Sequence, residues 1–105
     1  MTLYRPTHSQ LEKLDEILGS LEGRSIGLLG LGVAGRAMAA YLVSKGAKVI
    51  AADLRTELAD DATLSESLNL RLGPMSAATF EDVEALVISP GAHPAQPAVE
   101  AVRQA

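Results

Sequence analysis

Apolar residues follow two different rhythms along this chain. Between His8 and Leu21 they recur at helical steps, with Leu11, Leu14, Leu18 and Leu21 on one stripe and Glu12, Lys13, Asp15 and Glu16 largely off it. That spacing predicts an amphipathic helix. Ser9 and Glu12 have the spacing of a capping box, and Gly19 or Gly23 supplies a stop. Elsewhere the apolar residues come in short, nearly unbroken runs. Arg24–Leu29, Lys48–Asp53 and Ala85–Ser89 read this way, as strands covered on both faces do, and Asn69–Leu72 is a weaker run stopped by Gly73-Pro74. Between the first two runs, the alanine-rich stretch Arg36–Lys45 predicts a helix closed by Gly46. Thr56–Leu68 is polar and poorly periodic, which predicts a loop with one irregular helix. Thr79, with Asp82 three residues on, predicts a short capped helical turn through Val83, and Pro97 starts a last helix at its favoured first position.

Strands alternating with helices predict a parallel sheet with helices on both faces. The expected architecture is a Rossmann-like, doubly wound α/β domain of four or five strands. Residues 1–22 form an amino-terminal helical extension and residues 23–105 the nucleotide-binding domain. In such folds ligands sit beyond the carboxyl ends of the strands, near the point where strand order reverses. Three segments occupy strand carboxyl ends here: Gly30–Gly35, Asp53-Leu54-Arg55 and Ser89-Pro90-Gly91 with Ala92 and His93.

The first of these, Gly30-Leu31-Gly32-Val33-Ala34-Gly35, fits G-x-G-x-x-G between a strand and a helix. Gly30 permits a tight turn, Gly32 lets the backbone approach a pyrophosphate, and Gly35 lets the helix pack close to the sheet. The amides at the helix start and the positive end of its dipole then face the anion. A glycine turn needed for packing alone would look the same locally. Asp53 stands eighteen residues after Gly35, near the spacing at which a carboxylate meets a ribose diol. It can accept from that diol or from a base N–H, or it can simply cap the following turn. Arg55 can contact a base face or a phosphate, or remain a solvated loop residue. Gly91 allows close approach of a sugar or phosphate, although Ser89-Pro90-Gly91 would equally serve to end a strand. Arg36 is expected on the solvent side of its helix. His8 and His93 receive no role.

Length and composition narrow the function classes. With 105 residues, 48% hydrophobic and only 3% aromatic, the chain can build one small aliphatic core. A net charge of −4 without a basic run argues against nucleic acid as the main partner. There are no cysteines, hence no disulfide, thiolate metal site or cysteine nucleophile. No run approaches membrane-spanning length and Met1–Pro6 lacks a signal-peptide core, so a cytoplasmic address is expected. No G-x-x-x-x-G-K-[ST] loop is present, and no catalytic or metal-binding residue is assigned.

Taken in order, several of these segments resemble the amino-terminal domain of the Mur ligases. The resembling residues are Gly23-Arg24-Ser25, the glycine turn, Leu42 with Lys45-Gly46, Ala52-Asp53-Leu54-Arg55, Ile88-Ser89-Pro90-Gly91, the prolines that follow, and Ala101. The likeness spans Gly23 to Ala105 and is greatest to the branch that adds D-glutamate. It implies a uridine-nucleotide site: Gly32, Val33, Ala34 and Gly35 at the UDP pyrophosphate, Asp53, Leu54 and Arg55 on the uridine side, and Ser89 and Gly91 bordering the nucleotide. The implied substrate is UDP-N-acetylmuramoyl-L-alanine. ATP and Mg would be handled by central and carboxyl-terminal domains of a longer ligase, of which this chain is expected to be an inactive piece. Ala34 departs from the serine or threonine often found there, and the segment before Gly23 is longer than expected. The residues alone also leave open the NAD-binding domain of a dehydrogenase, or a regulatory domain that senses a nucleotide.

Overall fold

The computed structural model describes residues 2–4, 19–76 and 78–89, with only the backbone described for 2–4. Five parallel strands form one sheet: β1 (Thr2–Tyr4), β2 (Ser25–Leu29), β3 (Lys48–Asp53), β4 (Asn69–Leu72) and β5 (Ala85–Ile88). Their spatial order is β1-β5-β2-β3-β4. Two α-helices are described, α1 (Val33–Ser44) and α2 (Ala62–Ser67), with a 3-10 turn at Thr56–Asp60 just before α2. The doubly wound α/β architecture is therefore as expected. β2 and β3 are the longest strands, and β3 has the boundaries read from sequence.

Side-chain parity divides the core between the two faces of the sheet. Ile26, Leu28, Val49, Ala51, Ala85 and Val87 point to the face carrying α1 and α2, where Met38, Leu42, Leu58 and Leu64 cover them. Leu29, Ile50, Ala52, Leu86 and Ile88 point the other way, onto Phe80 and Val83. This follows from connection handedness. The chain steps from β2 to β3 to β4 in one direction and returns from β4 to β5 in the opposite one. Right-handed crossovers then put the return segment on the second face. Phe80, one of the chain's few aromatics, is 1% exposed there.

Gly27 makes room for that ring. A Cβ at Gly27 would stand 2.8 Å from Phe80 Cδ1 and 3.0 Å from Leu86 Cδ1. Gly27→Ala is expected to cost about 1–3 kcal/mol as an overpacked core. A second substitution, Phe80→Leu, should recover part of that loss. Urea denaturation of the two single variants and the double variant measures the coupling, and strictly additive losses would refute the contact.

Several boundaries moved. α1 starts at Val33 rather than Arg36, because Arg36 N already donates to Gly32 O at 2.9 Å and closes the first helical turn. Its end follows the glycine logic: Gly46 has φ +84, its N–H donates to Val43 O, and Ala47 N–H donates to Leu42 O. That is a Schellman ending. Thr79–Val83 forms isolated turns rather than a capped helical turn, with Glu81 N donating to Ala78 O and Val83 N to Phe80 O, each at 3.4 Å. Thr79 Oγ1 accepts from Ser76 N, upstream, so it caps nothing downstream. Thr56–Leu68 is more regular than expected, since Asp61 caps α2 by accepting from Thr63 N and Leu64 N. β1 was not among the expected strands; it pairs with β5 and places residues 2–4 in the same sheet as the rest. Of the helix expected over 8–21, residues 8–18 lie outside the described residues. Gly19 follows them in the left-handed region and Leu21 is fully buried in the core. The helix expected from Pro97 also lies outside them.

Candidate functional site

Ladder hydrogen bonds carry the strand carboxyl ends up to one rim. Gly30 N donates to Ala52 O at 2.8 Å and Ser89 N donates to Leu29 O at 3.0 Å. The glycine turn after β2 thus lies between the ends of β3 and β5. β2 and β5 are also where the strand order reverses, the position at which open α/β sheets take ligands.

Each glycine of the turn has its own reason. Gly30 has φ +96, a backbone state that side chains rarely adopt. Gly35 sits in the first turn of α1 against the Gly30 backbone, where a Cβ would come 2.0 Å from Gly30 O and 3.4 Å from Ser89 Oγ. Gly32 differs from both, because a Cβ there would meet nothing within 4 Å. Its position at the N-cap, open on the outside, is where the backbone could approach a ligand.

Among the described residues no side chain occupies the start of α1: none caps it, and no acidic residue stands in its first turn. The contrast with α2, capped by Asp61, is informative. Helix starts need acceptors for their first amides, and α1 presents its own at the open rim. Beside them lie two exposed apolar side chains, Val33 at 91% and Leu54 at 55%. Ala34 is half-buried and offers no hydroxyl.

Asp53 is placed differently from the expected ribose acceptor. It shares strand parity with Val49 and Ala51, so its side chain points to the α1 face and is buried. Oδ2 accepts from Leu31 N and from Arg55 Nη2, each at 2.9 Å. Oδ1 accepts from Arg55 N and Arg55 Nε, also at 2.9 Å. Both oxygens are thus fully used within the chain, and Asp53 ties the glycine turn to the loop after β3. The Arg55 guanidinium holds the Asp53 carboxyl down at about 2; burial opposes this, while the Arg55 and Leu31 amides assist. Capping the following turn, the simpler of the two roles considered for Asp53, describes its Arg55 N contact.

Arg55 is half-exposed, with one face of its guanidinium on Asp53. Ser89 is 4% exposed and lies beside Gly35. The structure therefore brings Gly32–Gly35, Asp53–Arg55 and Ser89 to one rim; Gly91 and His93 lie outside the described residues. Arg36 is exposed, as expected on the solvent side of its helix, but its guanidinium is engaged. Its Nε donates to Leu31 O at 3.2 Å and its Nη1 to Asp61 Oδ2 at 3.0 Å. Its proximity to the turn was legible, but its partner Asp61 comes from a stretch read as largely loop. A groove of about 480 Å³ runs between α1 and α2 past Ala39, Val43, Leu64 and Leu68. Of the residues at the rim it includes none.

Residues 24–105 match the family model for the Mur ligase MurD-like N-terminal domain. The chain is 35% identical over 88 residues to the UDP-N-acetylmuramoylalanine--D-glutamate ligase of Desulfatibacillum aliphaticivorans, covering 80% of this chain and 20% of that protein. It is 38% identical over 84 residues to the same ligase of Nitrosomonas eutropha, covering 77% and 18%. For the ligase of Thiobacillus denitrificans the figures are 41% over 88 residues, 80% and 19%. The chain thus spans about a fifth of the length of the curated relatives it matches. Matched across nearly all of its described sheet, with the glycine turn at the strand-order reversal, the chain belongs to the Mur ligases as a MurD-like N-terminal domain.

Proposed function

We propose that this domain holds the UDP portion of UDP-N-acetylmuramoyl-L-alanine for a ligase that adds D-glutamate during peptidoglycan synthesis. The observation that carries this reading is the uncapped start of α1 behind an open Gly32, in a domain of this family. The amides of Gly32 to Gly35 and the helix dipole suit a pyrophosphate. The exposed Val33 and Leu54 would be covered by the nucleoside, and the half-exposed Arg55 would meet base or phosphate. Ser89 and, beyond the described residues, Gly91 would border the nucleotide.

In the whole ligase the substrate carboxylate would be activated as an acyl phosphate with ATP and Mg, then joined to D-glutamate. Central and carboxyl-terminal domains would perform that chemistry in the cytoplasm. This domain would supply the handle by which the substrate is held and would be inactive alone. A dehydrogenase reading is disfavoured by the match of residues 24–105 to the MurD-like N-terminal domain.

Binding to the domain alone is expected to be weak. Helix dipole and amides contribute about 0.3–2 kcal/mol, set against an association cost of at least several kcal/mol. These contacts are too few for tight binding, and an affinity no tighter than the order of millimolar, about −4 kcal/mol, is expected. Titrating the chain separately with UDP and with NAD, while following amide chemical shifts, tests the reading. UDP should move the amides of Gly32 to Gly35. Movement with NAD and none with UDP would reverse the assignment.

A further inference from the structure

Leu31 is gripped from both sides. Its N–H donates to Asp53 Oδ2 at 2.9 Å, its carbonyl accepts from Arg36 Nε at 3.2 Å, and its side chain is fully buried in the core. Arg36 is itself aimed by a third group. Asp61 accepts from Arg36 Nη1 at 3.0 Å while its other oxygen accepts from Thr63 N and Leu64 N at the start of α2. A chain of charge-assisted bonds therefore runs from α2 through Arg36 to the glycine turn, and Asp53 completes the grip from β3. The backbone N–H of Arg36 also holds Gly32 O. Two consecutive carbonyls of the turn are thus fixed by one residue.

We propose that Arg36 is a positioning residue for the nucleotide site: with Asp53 it fixes the two peptide units that flank Leu31, so that the amides of Gly32 to Gly35 are aimed before the ligand arrives. This rests on the UDP reading above but adds a role that reading does not contain. A basic residue directly after a glycine turn invites assignment as a phosphate ligand. Here Nε and Nη1 are committed to Leu31 and Asp61, and the residue works through the backbone instead. Pre-organisation of this kind raises affinity because the ordering cost is met before binding.

Asp61→Ser separates the two roles. Serine is also a good N-cap, so α2 keeps its start while Arg36 loses its partner. Amide shifts and hydrogen exchange of the 105-residue chain would be recorded without ligand and during titration with UDP, for the wild type, Arg36→Ala, Arg36→Lys and Asp61→Ser. Without ligand, Arg36→Ala and Asp61→Ser should displace the Leu31 to Gly35 amides in the same direction and speed their exchange. Val49 and Val87 amides, on other strands, should stay put and report that the fold is kept. With UDP, both variants should bind about fivefold more weakly, the worth of about one net hydrogen bond. Arg36→Lys should fall between wild type and Arg36→Ala, because lysine cannot span both partners. Unchanged or tighter UDP binding by Asp61→Ser, with loss in Arg36→Ala, would make Arg36 a direct ligand and overturn the proposal. Unmoved ligand-free amides in Arg36→Ala would overturn it equally. If the wild type shows no response to UDP, the nucleotide reading falls, while the ligand-free shifts still decide whether Arg36 holds the turn.

Discussion

Gly35→Ala is expected to lower the thermal midpoint of this chain by on the order of 10 °C and to abolish UDP binding. Helix propensity alone points the other way, since alanine is favoured over glycine in a helix by about 1 kcal/mol. The clash decides the sign. The added Cβ would stand 2.0 Å from Gly30 O and 2.9 Å from Gly30 C, both backbone atoms. Gly30 cannot retreat easily, because its φ is +96 and its N–H is bonded to Ala52 O. Either α1 must lift from the sheet or the turn must open, at about 3 kcal/mol or more for strain of this kind. Gly32→Ala is the control that separates folding from binding. Its φ of −72 and ψ of −167 suit alanine, and the new methyl would meet nothing within 4 Å. Its midpoint should stay close to wild type while UDP binding weakens, since the methyl occupies the approach to the amides. Differential scanning calorimetry with a parallel UDP titration checks both. A Gly35→Ala variant as stable as wild type would refute the close packing of α1 on the turn. Full UDP affinity in Gly32→Ala would mean that the ligand does not approach the backbone there.

The parts of the fold legible in the sequence were those set by uniform apolar runs. β3 and β5 are buried on both faces, so composition alone marks them. The glycine turn was legible because three glycines at fixed spacing between strand and helix constrain the backbone so tightly. What escaped was set by partners distant in sequence. β1 is three residues long and is a strand because β5 offers it an edge, which its own residues do not announce. Thr79 looked like a helix cap, yet its hydroxyl was claimed by Ser76 N. At the site, Asp53 was found by its distance from Gly35, but its role was read from that spacing rather than from parity. Counting in twos from Val49 and Ala51 would have put its carboxylate on the α1 face, toward the turn. Arg36 reads as a surface residue, and its exposure is real: its side chain is 44% exposed. Exposure did not reveal that the head group links Leu31 to Asp61.

Asp53→Asn is expected to destabilise the chain by about 2 kcal/mol at neutral pH, and that difference should disappear in acid. The amide keeps the shape of the side chain but offers one oxygen where the carboxylate offers two. One pair of donors, either Leu31 N with Arg55 Nη2 or Arg55 N with Nε, must then face an NH₂ group. Arg55 is half-exposed and can turn to water, whereas the Leu31 contact is buried. Asparagine therefore keeps its oxygen on Leu31 N, and the loss falls on the charge-assisted Arg55 contacts. The pH dependence follows from the direction of the shift. The folded carboxyl titrates at about 2 against 3.8 when unperturbed. The stabilisation it provides is therefore fully present above about pH 4 and is lost as pH falls through about 2. A shift of this size corresponds to at most about 2.5 kcal/mol, and screening of the exposed Arg55 partner brings the ion-pair share below that. Urea denaturation of wild type and Asp53→Asn between pH 2 and pH 7 provides the test. The gap between the two stabilities should be constant in the upper range and should close toward the acid end. UDP binding should fall less than stability, since the asparagine oxygen can still hold the Leu31 amide. Two stability curves that run parallel down to pH 2 would mean that the Asp53 charge does not secure the turn.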